Sequence, residues 1–394
     1  MTGELERTYE SLAAWCRERD YAGHDPFDAL NSRLFQATPL KNSRVARIIW
    51  TQLFKRSPIS FRKIALVPAG KNAKGTALFA LSALSTFRRT RTKEAEREAR
   101  ALLDELWSAR LEGLSGAAWG YNFDWQSRAF FAPRGTPTIV PTAFAARAFI
   151  EAALAFNDED YRKRAESVCE FILRDLQRSD ETEREVCFSY TPIDRSRIFN
   201  ASLLAGETLA GVGALTNEPE LLELAMKTAR YTVRHQRADG SWAYGPERRH
   251  TWVDNFHTAF VLLSLSRIKA ACGSSESEAL TPAIKRGYEF WRTHFFVADG
   301  WPKYYHNKLY PADVHSAAAA VVTLLELESI DINAPVLAER VARWALRHLY
   351  DARGFFYYQR RRFYTVRTPY IRWAQSWMLY ALARLLEEGK IKSH

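Results

Sequence analysis

The chain has 394 residues, a formal charge of +11, 47% apolar and 26% charged side chains, values that exclude extensive disorder and allow a large buried core. Length alone would suggest two or three domains, because one core usually stops growing near about 250 to 300 residues, a limit that closed repeat folds escape. The four cysteines, Cys16, Cys169, Cys187 and Cys272, have no CxxC pair and no His at metal-ligand spacing beside them, which supports neither a zinc site nor a disulfide framework and leaves neither metal nor cofactor expected.

The amino terminus, MTGELERTYESLAAWCRERD, is charged and amphipathic and has no signal-peptide pattern. Apolar runs such as Ala77 to Leu84 and Ala259 to Leu265 are broken by serine, well short of the roughly 20 residues that cross a bilayer. A cytoplasmic protein without a transmembrane segment is therefore expected, although the positive charge would suit peripheral contact with a membrane.

In chain order, a polar amphipathic segment at Glu4 to Arg19 precedes a long excursion over residues 20–72, read as an insertion or lid with an extra helix near Ser43 to Phe54. Small-residue-rich segments of helical period then follow at Lys74 to Arg89, Ile139 to Phe156, Ile198 to Leu215, Trp252 to Ala271, Pro311 to Glu328 and Pro369 to Glu387. Ala, Gly and Ser let helices crowd toward an axis, so these are expected to be inner helices. Between them lie more polar segments, Lys93 to Glu112, Asp158 to Gln177, Glu218 to Gln236, Thr281 to Phe295 and Pro335 to Leu349, which complete the outer set begun by Glu4 to Arg19. Aromatic loops recur between outer and inner segments as AWGYNFDW, CFSYTP, DGSWAYGPE, DGWPKYYHN and RGFFYYQRR. Their tyrosines, Tyr121, Tyr190, Tyr244, Tyr304 and Tyr357, are spaced by roughly 55 to 70 residues, the mark of a helical-hairpin array. Pro311 and Pro369 would open inner helices as first-turn prolines, and Gly240, Gly300 and Gly354 lie just past outer ones. Six inner and six outer helices in alternation predict an all-α chain folded as one (α/α)6 toroid over residues 1–394.

In such a ring every outer-to-inner loop emerges on one face, so distant residues converge on one depression. Trp119, Tyr121, Asp124, Arg128, Asn200, Trp242, Arg249, Trp252, Asn255, Asp313 and Arg372 are the candidates for substrate binding. Aromatic faces stack on sugar rings while carboxylates, amides and arginine grip hydroxyls and carboxylates, which points to a glycan. The basic run Gln359 to Arg362 lies among tyrosines and tips the expectation toward an acidic glycan. Nucleic acid is not expected as a partner, because the basic residues follow no recognised reading motif.

The sharpest constellation is Trp252-Val253-Asp254-Asn255-Phe256-His257 at one inner-helix start, with Asp313-Val314-His315 at the next. Asp254 and His257 are three apart and share a helical face, so the carboxylate can orient the imidazole as a base. Asp313 and His315 are two apart and diverge by about 200° on a helix, so one of them points elsewhere. With Tyr304 and Tyr358, the residues Asp254, His257 and His315 form the candidate catalytic set for proton abstraction from a uronic acid, of epimerase or lyase type. Hydrolysis by a pair drawn from Asp124, Asp194, Asp254 and Asp313 is the rival chemistry. A non-catalytic glycan-binding subunit is the rival of a different class.

The segment QRADGSW at Gln236 to Trp242 matches the Q-x3-G-x-W motif of squalene-hopene cyclases and protein prenyltransferases, which implies a staple between hairpins; the acidic DxDD signature of the protonating cyclases is absent. The segments YAGHDPFDALNS, NAKGTALFALSA and TWVDNFHT resemble the VpsJ-like family of surface-polysaccharide and exopolysaccharide biosynthesis proteins over most of the length. That resemblance implies a gene neighbourhood of glycosyltransferases and a toroid similar to those of glucuronyl C5-epimerases, polysaccharide lyases and unsaturated glucuronyl hydrolases; a glycan or lipid-linked oligosaccharide of surface-polysaccharide synthesis is the substrate expected.

Overall fold

The computed structural model describes residues 2–126 and 131–391, and in it helices alternate between two concentric layers. The inner helices are Ala73–Thr90, Ile139–Phe156, Phe199–Thr216, Asn255–Cys272, Val314–Glu326 and Ser376–Ile391, the last entered through a π-helical turn at Ile371–Gln375. The outer helices are Thr2–Arg17, Lys93–Ser108, Glu159–Arg174, Pro219–Arg234, Thr281–Phe295 and Ala334–Leu349. Each inner helix packs on the next, and Ser376–Ile391 packs back on Ala73–Thr90, closing the circle. The outer partner of that last inner helix is the first helix of the chain, so the amino terminus seals an (α/α)6 toroid.

Close approach between the layers explains the small residues. A Cβ on Gly206, in the inner helix Phe199–Thr216, would lie 1.9 Å from Thr228 Oγ1 on the outer helix behind it. Tryptophans fasten the hairpins: Trp119 Nε1 donates to Leu106 O at 2.8 Å and Trp242 Nε1 to Thr232 O at 2.9 Å, each reaching back to the preceding outer helix. Trp242 also presses on Gly287 of the next outer helix, where a Cβ would meet its ring at 2.2 Å. Both indoles therefore belong to the scaffold. Buried residues from every inner helix form one continuous core.

Toward the carboxyl ends of the inner helices an ion-pair circuit runs around the axis. Arg88 meets Glu387 at 2.6 Å and Glu151 at 3.0 Å; Arg147 links Glu151 to Glu207; Arg267 links Glu207 to Glu326; Arg384 links Glu326 back to Glu387. Four guanidinium groups alternate with four carboxylates, so the circuit is neutral and closes that end of the ring. The opposite end, where the inner helices begin, is left for a site.

Several expected details differ. Pro311 lies in the strand Lys308–Asp313 after a cis Tyr310–Pro311 bond, and the inner helix begins only at Val314; Pro369 likewise precedes the π-turn rather than opening a helix. Four strands, Lys303–Tyr305, Lys308–Asp313, Gln359–Arg360 and Thr365–Val366, pair as a small antiparallel sheet on the open face, because loop backbone there pairs with its neighbours when no helix supplies partners. One inner helix, Ile139–Phe156, is long and apolar enough to cross a membrane, but 67% of that stretch is buried inside the ring. The excursion holds the helix Arg44–Arg56 and a small core of its own, Ala29, Phe54, Ala65 and Val67. It is pinned to the ring by Asp25, whose oxygens take Arg372 Nε at 2.6 Å and NH2 at 2.8 Å, and is tied together within itself by Asp28, which accepts from buried Arg62 at 2.8 Å.

Candidate functional site

The second residue of each inner helix, with Arg372 as its counterpart in the π-turn, faces the axis. These six residues, Lys74, Val140, Asn200, Phe256, His315 and Arg372, all line one cavity of about 320 Å³, a size typical of small-molecule pockets. They form its floor. Aromatic residues of the recurring loops make the walls, among them Tyr121, Trp125, Tyr190, Tyr244, Trp252 and Tyr304, and the excursion adds Phe27, Gln52, Lys55 and Arg56.

Asp254 caps the inner helix Asn255–Cys272: its Oδ1 accepts the His257 N–H at 3.0 Å, while Oδ2 lies 2.7 Å from His257 Nδ1 and accepts Trp252 Nε1–H at 3.1 Å. The carboxylate thus fixes the tautomer with hydrogen on Nδ1 and leaves the lone pair on Nε2, the arrangement of a general base. Trp252 in turn stacks on Tyr244 with ring centroids 4.5 Å apart.

The floor is basic in composition. Lys74 is buried against the rings of Phe144, Phe260 and Trp377. Burial first, and then the Arg372 charge, hold its ammonium well below the usual lysine range, with Asp25 opposing. His315 is buried, packs on Trp373 at 4.3 Å, and has no hydrogen-bond partner at either ring nitrogen. Burial, helped by Lys74, Arg372 and His257, pushes it well below the usual histidine range against a weaker pull from the Trp373 backbone, so the imidazole is neutral. At the wall, burial lowers Lys55 to about 8 despite Asp313 and Asp25. Five basic side chains line the cavity, Lys55, Arg56, Lys74, Arg361 and Arg372, against one lining carboxylate, Asp254.

Of the residues expected to bind or react, Asp254, His257, His315, Tyr304, Tyr358, Tyr121, Asn200, Trp252 and Arg372 share the cavity. The rest do not line it. Trp119 and Trp242 are the staples described above. Asp124 turns to the Arg134 N–H and Gln36. Arg249 projects outward with a largely exposed side chain. Asn255 is spent on Lys303 O and Trp291 Nε1. Asp313 is fully buried and accepts from the His315 N–H, Gln359 and Trp373; burial raises it to about 6, and it supports the wall rather than a ligand. Asp313 stands just ahead of the helix as its N-cap, so helical spacing does not govern the pair; both side chains meet Trp373, and only His315 lines the cavity. Arg128 lies outside the described residues. Of the four carboxylates proposed for hydrolysis, only Asp254 lines the cavity; Asp194 is held in its own loop by Thr191 and Ser196.

Lys74, Lys55 and Arg56 are cavity residues that sequence reasoning missed, whereas Arg361 belongs to the basic run that the sequence placed near a site. A signal existed for Lys74: it stands 66 residues before Val140, in register with Asn200, His315 and Arg372 across the repeats. No such period marks Lys55, whose segment interrupts the repeat.

No family model matches the chain, and no curated protein matches it. Solved structures do. A sugar epimerase from a ruminal bacterium shares 12% identity at a TM-score of 0.63, with 82% of this chain and 88% of the other covered. A possible member of the GH105 family from Salmonella enterica gives 13% identity and a TM-score of 0.64, covering 99% and 95%. An unsaturated glucuronyl hydrolase from a Bacillus species gives 17% and 0.58, covering 81% and 88%. At these identities the likeness is one of fold, and the chain has the (α/α)6 toroid seen in these carbohydrate enzymes.

Proposed function

We propose that the protein is a carbohydrate-active enzyme that abstracts a proton from a uronate-containing glycan, acting by epimerisation or elimination. One observation carries the proposal: a carboxylate-oriented imidazole and a floor bearing the amine of Lys74 and the Asp25-paired guanidinium of Arg372 open into the same cavity. The proton α to a uronate carboxylate is weakly acidic because its loss turns one negative charge into two. Cationic groups aimed at that carboxylate stabilise the developing charge more than the ground state, which is how a rate is raised. A bound carboxylate also reverses the penalty on Lys74, since an opposite charge restores the ammonium that burial disfavours.

In this reading His257 Nε2 takes the C5 proton while Asp254 stabilises the imidazolium. Lys74 and Arg372 hold the carboxylate, and aromatic walls stack on the sugar faces. Return of a proton to C5 by His315 or a tyrosine hydroxyl, Tyr304 or Tyr358, completes epimerisation; departure of the substituent at C4 completes elimination instead. The likeness of the sequence to exopolysaccharide biosynthesis proteins supports a growing surface glycan or lipid-linked oligosaccharide in the cytoplasm as the substrate. The test is incubation with uronate oligosaccharides in D2O followed by NMR. Deuterium at C5 or an unsaturated product is expected; absence of both, with neither cleavage, overturns the proposal.

A further inference from the structure

The excursion carries a chemistry that the cavity does not use. Between Asp28 and Glu94 the chain has no acidic residue, and residues 29–70 hold eight lysines and arginines. The same segment, roughly a tenth of the chain, contains nine of the seventeen large apolar side chains exposed among the described residues. Proteins seldom leave such side chains clustered in water without a partner.

Their arrangement is regular. In the helix Arg44–Arg56, Trp50, Thr51 and Phe54 turn inward, whereas Val45, Ile49 and Leu53 repeat every four residues on the outer side, each more than half exposed. Ile59 and Ile64, after the helix, are 65% and 75% exposed. Phe363, from the loop before the last inner helix, is 86% exposed. Its neighbour Tyr364 donates to Arg56 O at 3.0 Å, which fixes that loop beside the carboxyl end of the helix. Aliphatic and aromatic side chains therefore stand out from a surface whose charge is of one sign.

We infer that this face docks on an anionic lipid surface. Basic residues are drawn to acidic headgroups while a helix of this kind sinks its apolar side into the boundary layer. Pairing with a second copy would set two strongly basic faces against each other, which disfavours that occupant. Gln52, Lys55 and Arg56 of the same segment line the cavity, so docking turns the mouth toward the headgroups, where a glycan carried on a lipid is presented. The docking stands by itself; only this last step rests on the glycan reading above.

Vesicle flotation tests it. The full chain should float with vesicles containing about 30% phosphatidylglycerol, and at least about tenfold less with phosphatidylcholine alone or in about 0.5 M salt, where surface charge is screened. The triple variant Ile49→Ser, Leu53→Ser, Phe363→Ser should lose about tenfold in partition with at most a small drop in melting temperature, because all three side chains are more than half exposed. Its turnover of a soluble oligosaccharide should match that of the parent. Failure of the parent to float with the anionic vesicles, equal flotation of the variant, or concentration-dependent dimers abolished by the variant in place of flotation would overturn the docking face. A negative deuterium result would sink the proposed reaction and leave this test untouched.

Discussion

Replacing Asp254 by Asn separates fold from chemistry at one side chain. Asp254 uses Oδ1 for the backbone N–H of His257 and Oδ2 for two donors, Trp252 Nε1–H and His257 Nδ1–H. An amide has one oxygen. With that oxygen on the cap, its NH2 faces the indole N–H, and the imidazole must shift its hydrogen to Nε2, where the base is needed. With the amide turned over, the tautomer survives but the NH2 faces the helix-cap N–H. Either way one buried donor faces another donor, a loss of about 1 to 3 kcal/mol in stability, moderated because Asn itself is a good cap. The rate should fall by about 10² to 10⁴, the usual worth of a positioned base. Deuterium exchange at C5, read by NMR at saturating uronate, measures the rate, and urea unfolding measures the stability. A variant that exchanges deuterium at the parent rate would refute the orienting role; one that binds uronate normally, folds and does not exchange supports it.

The ion-pair circuit gives a second prediction. Glu326 serves both Arg267 and Arg384, and all three side chains are only 15 to 18% exposed. Glu326→Gln leaves each arginine one other carboxylate of the circuit, so the loss should fall below the range for an orphaned buried charge, at about 2 to 3 kcal/mol. A midpoint in urea unchanged from the parent would show that the circuit adds nothing. The third prediction concerns pH. His315 titrates well below 6.5 in the fold, facing Lys74, Arg372 and His257, so as pH falls below about 6.5 the unfolded chain takes up the proton first. Stability contributed by the neutral ring is present above that pH and lost below it, by up to about 1.4 kcal/mol per pH unit. Melting curves from pH 7.5 to 5.5 should show a shallower fall for His315→Gln than for the parent; parallel curves would contradict this.

The architecture was written in local patterns. A period of helical hairpins, small residues in alternate segments and an aromatic loop in each repeat are properties of neighbouring residues, and they suffice to specify twelve helices and a closed ring. Asp254 and His257 are also brought together locally, since a helix-capping side chain reaches the third residue of the helix it starts. Rim residues were harder. Trp119, Trp242, Asn255 and Asp313 carry the residue types of a binding site, yet their polar atoms are used up within the scaffold, and a sequence does not say which hydrogen bonds are already made.

The cavity floor depended on closure. Lys74 and Arg372 are separated by 298 positions, and they become neighbours only because the last inner helix returns to the first. Two basic groups distant in the chain are therefore set side by side on the axis. The exposed apolar face of the excursion belongs to the same class of fact: period places Val45, Ile49 and Leu53 on one side of a helix, but which side meets water is decided by what the ring offers the other.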